Sequence, residues 1–121
     1  MLEFLAFGLT GVLVGVVTGL IPGLHPNSVI FGSLPVYLVS GLDFMVYACL
    51  VSGLSVSHTF HDFIPAFYLQ APEGGTALSM SVGGEFASNG RGTVSFYSTL
   101  LGCVASLFVF ILALPLLYFS L

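Results

Sequence analysis

The chain has 121 residues, of which 57% are hydrophobic and only 5% are charged, roughly a fifth of the charged share of a soluble domain. It contains no lysine and one arginine, Arg91, and its net charge is -4. A nucleic-acid partner is excluded because neutralising phosphates requires clustered Lys and Arg side chains. The composition predicts an integral membrane protein that lies mainly within the lipid bilayer.

Two apolar segments are long enough to cross a membrane, which takes about 20 helical residues. They are residues 2–21, with Glu3 at the edge, and residues 93–121, which carry no charge. The first segment lacks the positive start and the cleavage motif of a secretion signal, so we expect it to be retained. The predicted fold is an all-α membrane protein, one domain over residues 1–121, with transmembrane helices and broken or re-entrant half-helices.

Glycines recur in the first predicted helix. Gly11, Gly15 and Gly19 follow one another at four-residue spacing and therefore lie close to one helical face. Small residues at this spacing let a second helix approach closely in lipid. The alternative explanation is that these glycines reflect only the general abundance of glycine in membrane helices. We expect this face to be a packing seam.

Two loops share a design in which Pro and Gly precede a helix-capping residue and a short apolar segment. They are residues 22–28 (PGLHPNS), where Asn27 and Ser28 are the expected caps, and residues 72–76 (PEGGT), where Thr76 is the expected cap. Unwound backbone at membrane depth must be buried in protein or line a cavity, and helices broken in this way hold anions in transporters. The alternative is that both are ordinary surface loops. The candidate substrate-binding residues are Pro22, Gly23, His25, Asn27, Ser28, Pro72, Gly74, Gly75 and Thr76.

A second candidate group consists of His58, His61 and Asp62, whose spacing places them on one face of a helix. They are candidates for proton or ion coupling, since ionisable residues within membranes are rare and usually functional. They could instead bind a metal or lie at the water interface with neighbouring aromatic residues. No third strong ligand occurs at motif spacing, so the sequence predicts no metal site.

Residues 19–27 (GLIPGLHPN) resemble the glycine-proline motif near the N-terminus of the large permease subunit of tripartite tricarboxylate transporters. Residues 71–78 (APEGGTAL) are similar to the Pro-Gly-x-x-x-Thr-Ala segment of that family, and residues 84–91 also fit it. The family's permeases are much longer, so the chain resembles the N-terminal portion of one, of the archaeal type. The histidines depart from the bacterial pattern.

The resemblance implies a permease segment rather than an enzyme, in a multi-pass protein of the cell membrane. It would take up a small organic anion, driven by Na⁺ or H⁺ and without another cofactor. Its expected partners are the remaining permease segments, a small membrane subunit and an extracytoplasmic solute-binding protein. Two further functions are open on the residues alone. One is a small helical scaffold that oligomerises through its glycine faces, and the other is an intramembrane metalloenzyme.

Overall fold

The computed structural model describes residues 1–120, which form helices without any β-strand. The helices are α1 (Leu2–Leu20), α2 (Pro26–Ser40), α3 (Phe44–His61), α4 (Phe63–Tyr68), α5 (Ala77–Phe86) and α6 (Gly92–Ser120), with a π-helical turn at Ala87–Arg91. The helix α1 and the segment Ala77–Leu116 are long and apolar enough to cross a membrane. The predicted all-α fold is confirmed. Residue 121, included in the last predicted span, lies outside the described residues.

The glycine face of α1 packs against α3. The buried residues of α1 are Gly11, Gly15, Thr18 and Gly19. A Cβ atom on Gly15 would lie 2.7 Å from the Ser57 Cβ, and one on Gly19 would lie 2.7 Å from the His58 carbonyl oxygen. Real Cβ atoms do not come this close, so a side chain at either glycine would force the two helices apart. The predicted packing seam is confirmed.

The start of α2 differs from the sequence prediction. Asn27 and Ser28 were expected to cap the helix, but α2 begins at Pro26 and both residues lie within its first turn. Proline suits that position because its missing N–H would have no helical partner. His25 is the cap, since its Nδ1 accepts the Asn27 N–H at 3.2 Å. The helix also continues through Pro35 to Ser40.

The third helix extends beyond the apolar residues 42–56 and ends at His61. Asp43 caps it by accepting the Met45 N–H at 2.8 Å, and it runs through the small polar residues to His61. The small side chains favour this extension because they face the closely packed α1, where a large residue would not fit. Therefore His58 and His61 both lie on a regular helix.

The short helix α4 packs on α5 and α6, where Phe63 and Phe67 form a core with Ala87. Gly90 and Gly92 flank Arg91 after α5, at a position where glycine commonly ends a helix. Gly90 does so, with a left-handed φ of 76°. Gly92 instead begins α6, where an added Cβ would lie 3.2 Å from the Phe67 carbonyl oxygen. A side chain there would therefore require a small shift of α4 away from α6.

We predict that Gly15→Leu destabilises the protein, because the leucine must displace the α3 backbone. Overpacking of a well-packed contact costs about 1–3 kcal/mol or more. Gly32→Leu is the matched control, since a Cβ there meets no atom within 4 Å. Thermal unfolding in detergent, followed by circular dichroism, compares the two. Equal stability of both variants would contradict the seam.

Candidate functional site

The two loops that share a Pro-Gly design meet beside the C-terminal end of α3. The Gly23 N–H donates a hydrogen bond to Oε1 of Glu73, which lies 50 residues further along the chain. Together the loops enclose a cavity of about 150 Å³. Its lining residues are His25, Pro26, His58, Thr59, Asp62, Phe63, Glu73, Gly75 and Thr76. The two loops therefore contribute to one site.

Two helices begin at this cavity. Pro26 is the first residue of α2, and Thr76 immediately precedes α5. The start of a helix carries unpaired N–H groups and a partial positive charge. Both helix starts thus supply positive potential to the same small space, where no Lys or Arg is among the lining residues.

Thr76 closes its own loop rather than capping α5 as the sequence predicted. Its side chain makes no capping bond to the helix. The hydroxyl instead accepts the Glu73 N–H at 2.9 Å, and the Glu73 carbonyl accepts the N–H groups of Thr76 and Ala77 at 3.1 and 2.9 Å. Thr76 is 2% exposed, so the turn is fixed from inside. This turn holds the Glu73 carboxylate towards Gly23.

Three ionisable side chains converge in the cavity. His58, Asp62 and Glu73 each place one potential ligand atom within 4.8 Å of the others. His58 is 3% exposed and Asp62 is 6% exposed, so both side chains are buried within the protein. Within residues 1–120, no donor hydrogen-bonds the Asp62 carboxylate. The Asp62 carboxylate lines the cavity, so a positive ligand there would stabilise its charged form.

Sequence reasoning missed Glu73 as a member of this cluster. It is not at helical spacing from His58 and Asp62, and it lies in a loop rather than on α3. The available signal was that it is the acidic residue of the second Pro-Gly loop. Only the docking of that loop on α3 brings it to the other two side chains.

The orientation of the His58 ring follows from Thr18. The Thr18 Oγ1 lies 3.2 Å from the Gly15 carbonyl oxygen and 3.0 Å from Nδ1 of His58. We infer that the single hydroxyl proton is donated to the carbonyl, as in other helical threonines, so that a lone pair accepts the Nδ1–H of His58. Nε2 is then the ring nitrogen with a free lone pair.

The structure separates His61 from this cluster. Its Nδ1 donates to the Ser57 carbonyl oxygen at 2.7 Å within α3, and it does not line the cavity. His25 does line it, with a ring centroid 6.3 Å from that of His58. The other six predicted substrate-binding residues are exposed and do not line the cavity: Pro22, Gly23, Asn27, Ser28, Pro72 and Gly74.

A small cavity at which two helices begin, in a chain with two membrane-length apolar segments, is typical of membrane transport proteins. Residues 5–121 match the tripartite tricarboxylate transporter TctA family. The chain therefore belongs to that family, as the motif resemblance predicted. Its two membrane-length apolar segments fit a membrane protein.

Similarity to other known proteins is limited. The chain is 31% identical over 120 residues to the uncharacterized protein MJ1079 of Methanocaldococcus jannaschii. The match covers 96% of this chain but only 30% of the relative, so the chain spans less than a third of the relative's length. No solved structure matches the chain.

We predict that His58 carries its neutral-state proton on Nδ1 and that Thr18→Val abolishes this preference by removing the acceptor. Side-chain ¹⁵N NMR at a pH above the titration of the ring measures the tautomer directly. Thr10→Val is the matched control, since Thr10 bonds only the Ala6 carbonyl of its own helix. An unchanged His58 spectrum in Thr18→Val would contradict the assigned tautomer.

Proposed function

We propose that this chain forms the N-terminal part of a multi-pass, cell-membrane permease for cation-coupled uptake of a small organic carboxylate. The substrate carboxylate binds at the starts of α2 and α5. The observation that carries the proposal is the hydrogen bond from the Gly23 N–H to the Glu73 carboxylate. The loop backbone before α2 already binds a carboxylate, which belongs to the chain itself.

An organic anion loses its water on entering the membrane, and positive groups must replace that water. The single cation, Arg91, is exposed in the turn before α6 and does not line the cavity. The partial positive charge of the two helix starts, together with the Gly23 N–H once Glu73 releases it, is the available substitute. Gly75 leaves room for the ligand, because a Cβ there would meet no atom within 4 Å.

The carboxylates explain why a cation would have to accompany the anion. Asp62 and Glu73 lie within 4.8 Å of each other, and their negative charge repels an anionic substrate. A Na⁺ ion or a proton held by His58, Asp62 and Glu73 removes that repulsion. Glu73 then releases the Gly23 N–H to the substrate carboxylate. Anion binding is thus favoured only when the cation is present, which is thermodynamic coupling between two sites.

The size of the cavity defines what this segment contributes. Its volume of about 150 Å³ is below the ~300 Å³ of a typical ligand pocket. It accommodates one carboxylate group of a substrate, and the remaining permease segments would enclose the rest. A small membrane subunit and an extracytoplasmic solute-binding protein are the proposed partners, as the tripartite family implies.

The scaffold function has less support. It requires the glycine face of α1 to be available for a second copy of the chain. That face is buried against α3 within the chain, where Gly11, Gly15 and Gly19 contact its backbone.

We predict that Gly75→Val in the full-length permease lowers uptake of radiolabelled citrate by about tenfold or more, a loss of ~1.4 kcal/mol of binding. The valine fills space that the substrate requires but meets no protein atom, so expression stays unchanged. Gly32→Val, in equally open space away from the cavity, is the control. Equal losses of uptake and expression would indicate a folding defect and contradict the proposed site.

We predict that Asp62→Asn abolishes the dependence of uptake on the driving cation gradient, because the cation loses a negatively charged ligand. Uptake into proteoliposomes is compared under imposed Na⁺ and H⁺ gradients, which also identifies the ion. Glu85→Gln removes an exposed carboxylate outside the cavity and should retain the dependence. Full coupling in Asp62→Asn would refute the role of Asp62.

A further inference from the structure

We propose that His58, Asp62 and Glu73 form a binding site for a divalent transition-metal ion such as Zn²⁺. This departs from the sequence analysis, which found no third ligand, because Glu73 completes the set only in the fold. The proposal concerns metal binding itself and does not depend on transport. A metal ion and the coupling cation would compete, since they use the same donor atoms.

The spacing of the three side chains suits one ion. Their donor atoms lie within 4.8 Å of one another. An ion at the centre of such a triangle is at most about 2.8 Å from each donor, against about 2.0–2.2 Å for zinc bound to nitrogen and oxygen. Small side-chain rotations close that difference. Three protein ligands leave a coordination position for water or for a substrate carboxylate in the cavity.

The donor types select the class of metal. The set combines one imidazole nitrogen with two carboxylate oxygens. Ca²⁺ and Mg²⁺ are bound by oxygen ligands, whereas an imidazole favours ions such as Zn²⁺, Ni²⁺ and Cu²⁺. Two carboxylates also balance the charge of a divalent ion, in a cavity lined by no Lys or Arg.

The Asp62 side chain is the second observation that indicates a ligand. It is 94% buried, lines the cavity and is hydrogen-bonded by no donor within residues 1–120. A structural carboxylate at such a position would be satisfied by N–H or O–H groups. A cation in the cavity would supply the partner that the protein does not.

The neighbouring hydrogen bonds orient the other two ligands. Thr18 Oγ1 lies 3.0 Å from Nδ1 of His58. In the tautomer predicted above it accepts the Nδ1–H and leaves the lone pair on Nε2, the usual arrangement for a metal-bound histidine. The Gly23 N–H binds one oxygen of Glu73 and leaves the second for the metal. Each ligand other than Asp62 is thus held by a partner outside the coordination sphere.

The test uses the full-length protein, purified in detergent and treated with a chelator. Co²⁺ is titrated and its visible ligand-field absorption is recorded, and Zn²⁺ is then added as a competitor. We expect one Co²⁺ per chain, displaced by Zn²⁺. His58→Gln, Asp62→Asn and Glu73→Gln should each weaken binding by more than about a hundredfold, and Thr18→Val by about 10–100-fold, as for other outer partners of metal ligands.

His61→Gln and Glu85→Gln are the matched controls and should retain the wild-type affinity. Zn²⁺ should also shift the ¹⁵N signal of His58 Nε2 in the unaltered protein while leaving His61 unchanged, a result that needs no variant to fold. Absence of saturable Co²⁺ binding would overturn the proposal and indicate a site for protons or Na⁺ only. Loss of binding in His61→Gln, or an unshifted His58 signal, would equally overturn it.

Discussion

The close contact of α1 with α3 is the constraint on which the site depends. Lipid removes most of the hydrophobic driving force between helices, so their association rests on close packing. The glycines of α1 allow that packing by letting the backbone of α3 approach directly. The same contact places Thr18 against the His58 ring and ends α1 where Gly23 can reach Glu73. The seam therefore fixes both the orientation of a buried histidine and the position of the first loop.

The second organising feature is the scarcity of positive charge. Burying Asp62 and Glu73 together would be unfavourable if both were ionised and unpaired. The chain has no lysine, and its single arginine does not line the cavity. Helix starts offset part of this charge, and the proposed cation would offset the rest. In the proposed function, this shortage of positive charge is what links the anion to the cation, since each would make the other's binding more favourable.

The sequence determined the class of fold and the main packing contact. Apolar length is sufficient to predict a membrane helix, because each residue adds a fixed rise along the helix axis. Glycine spacing was sufficient to place the seam on one face of α1, which the buried Gly11, Gly15 and Gly19 confirm. The Pro-Gly pattern located both loops, and their motifs indicated the transporter family to which the chain belongs. These are local properties, readable from a few neighbouring residues.

Only the tertiary structure decided which side chains share the cavity. Helical spacing grouped His61 with His58 and Asp62, but it gives only the angle around one helix, and His61 bonds the α3 backbone instead. It could not include Glu73, whose position depends on how its loop docks against α3. The caps were similarly misassigned at Asn27, Ser28 and Thr76, because each loop is shaped by His25 or by the Glu73 turn. A residue's own neighbours in sequence determine its local conformation, whereas the cluster depends on contacts between segments far apart in the chain.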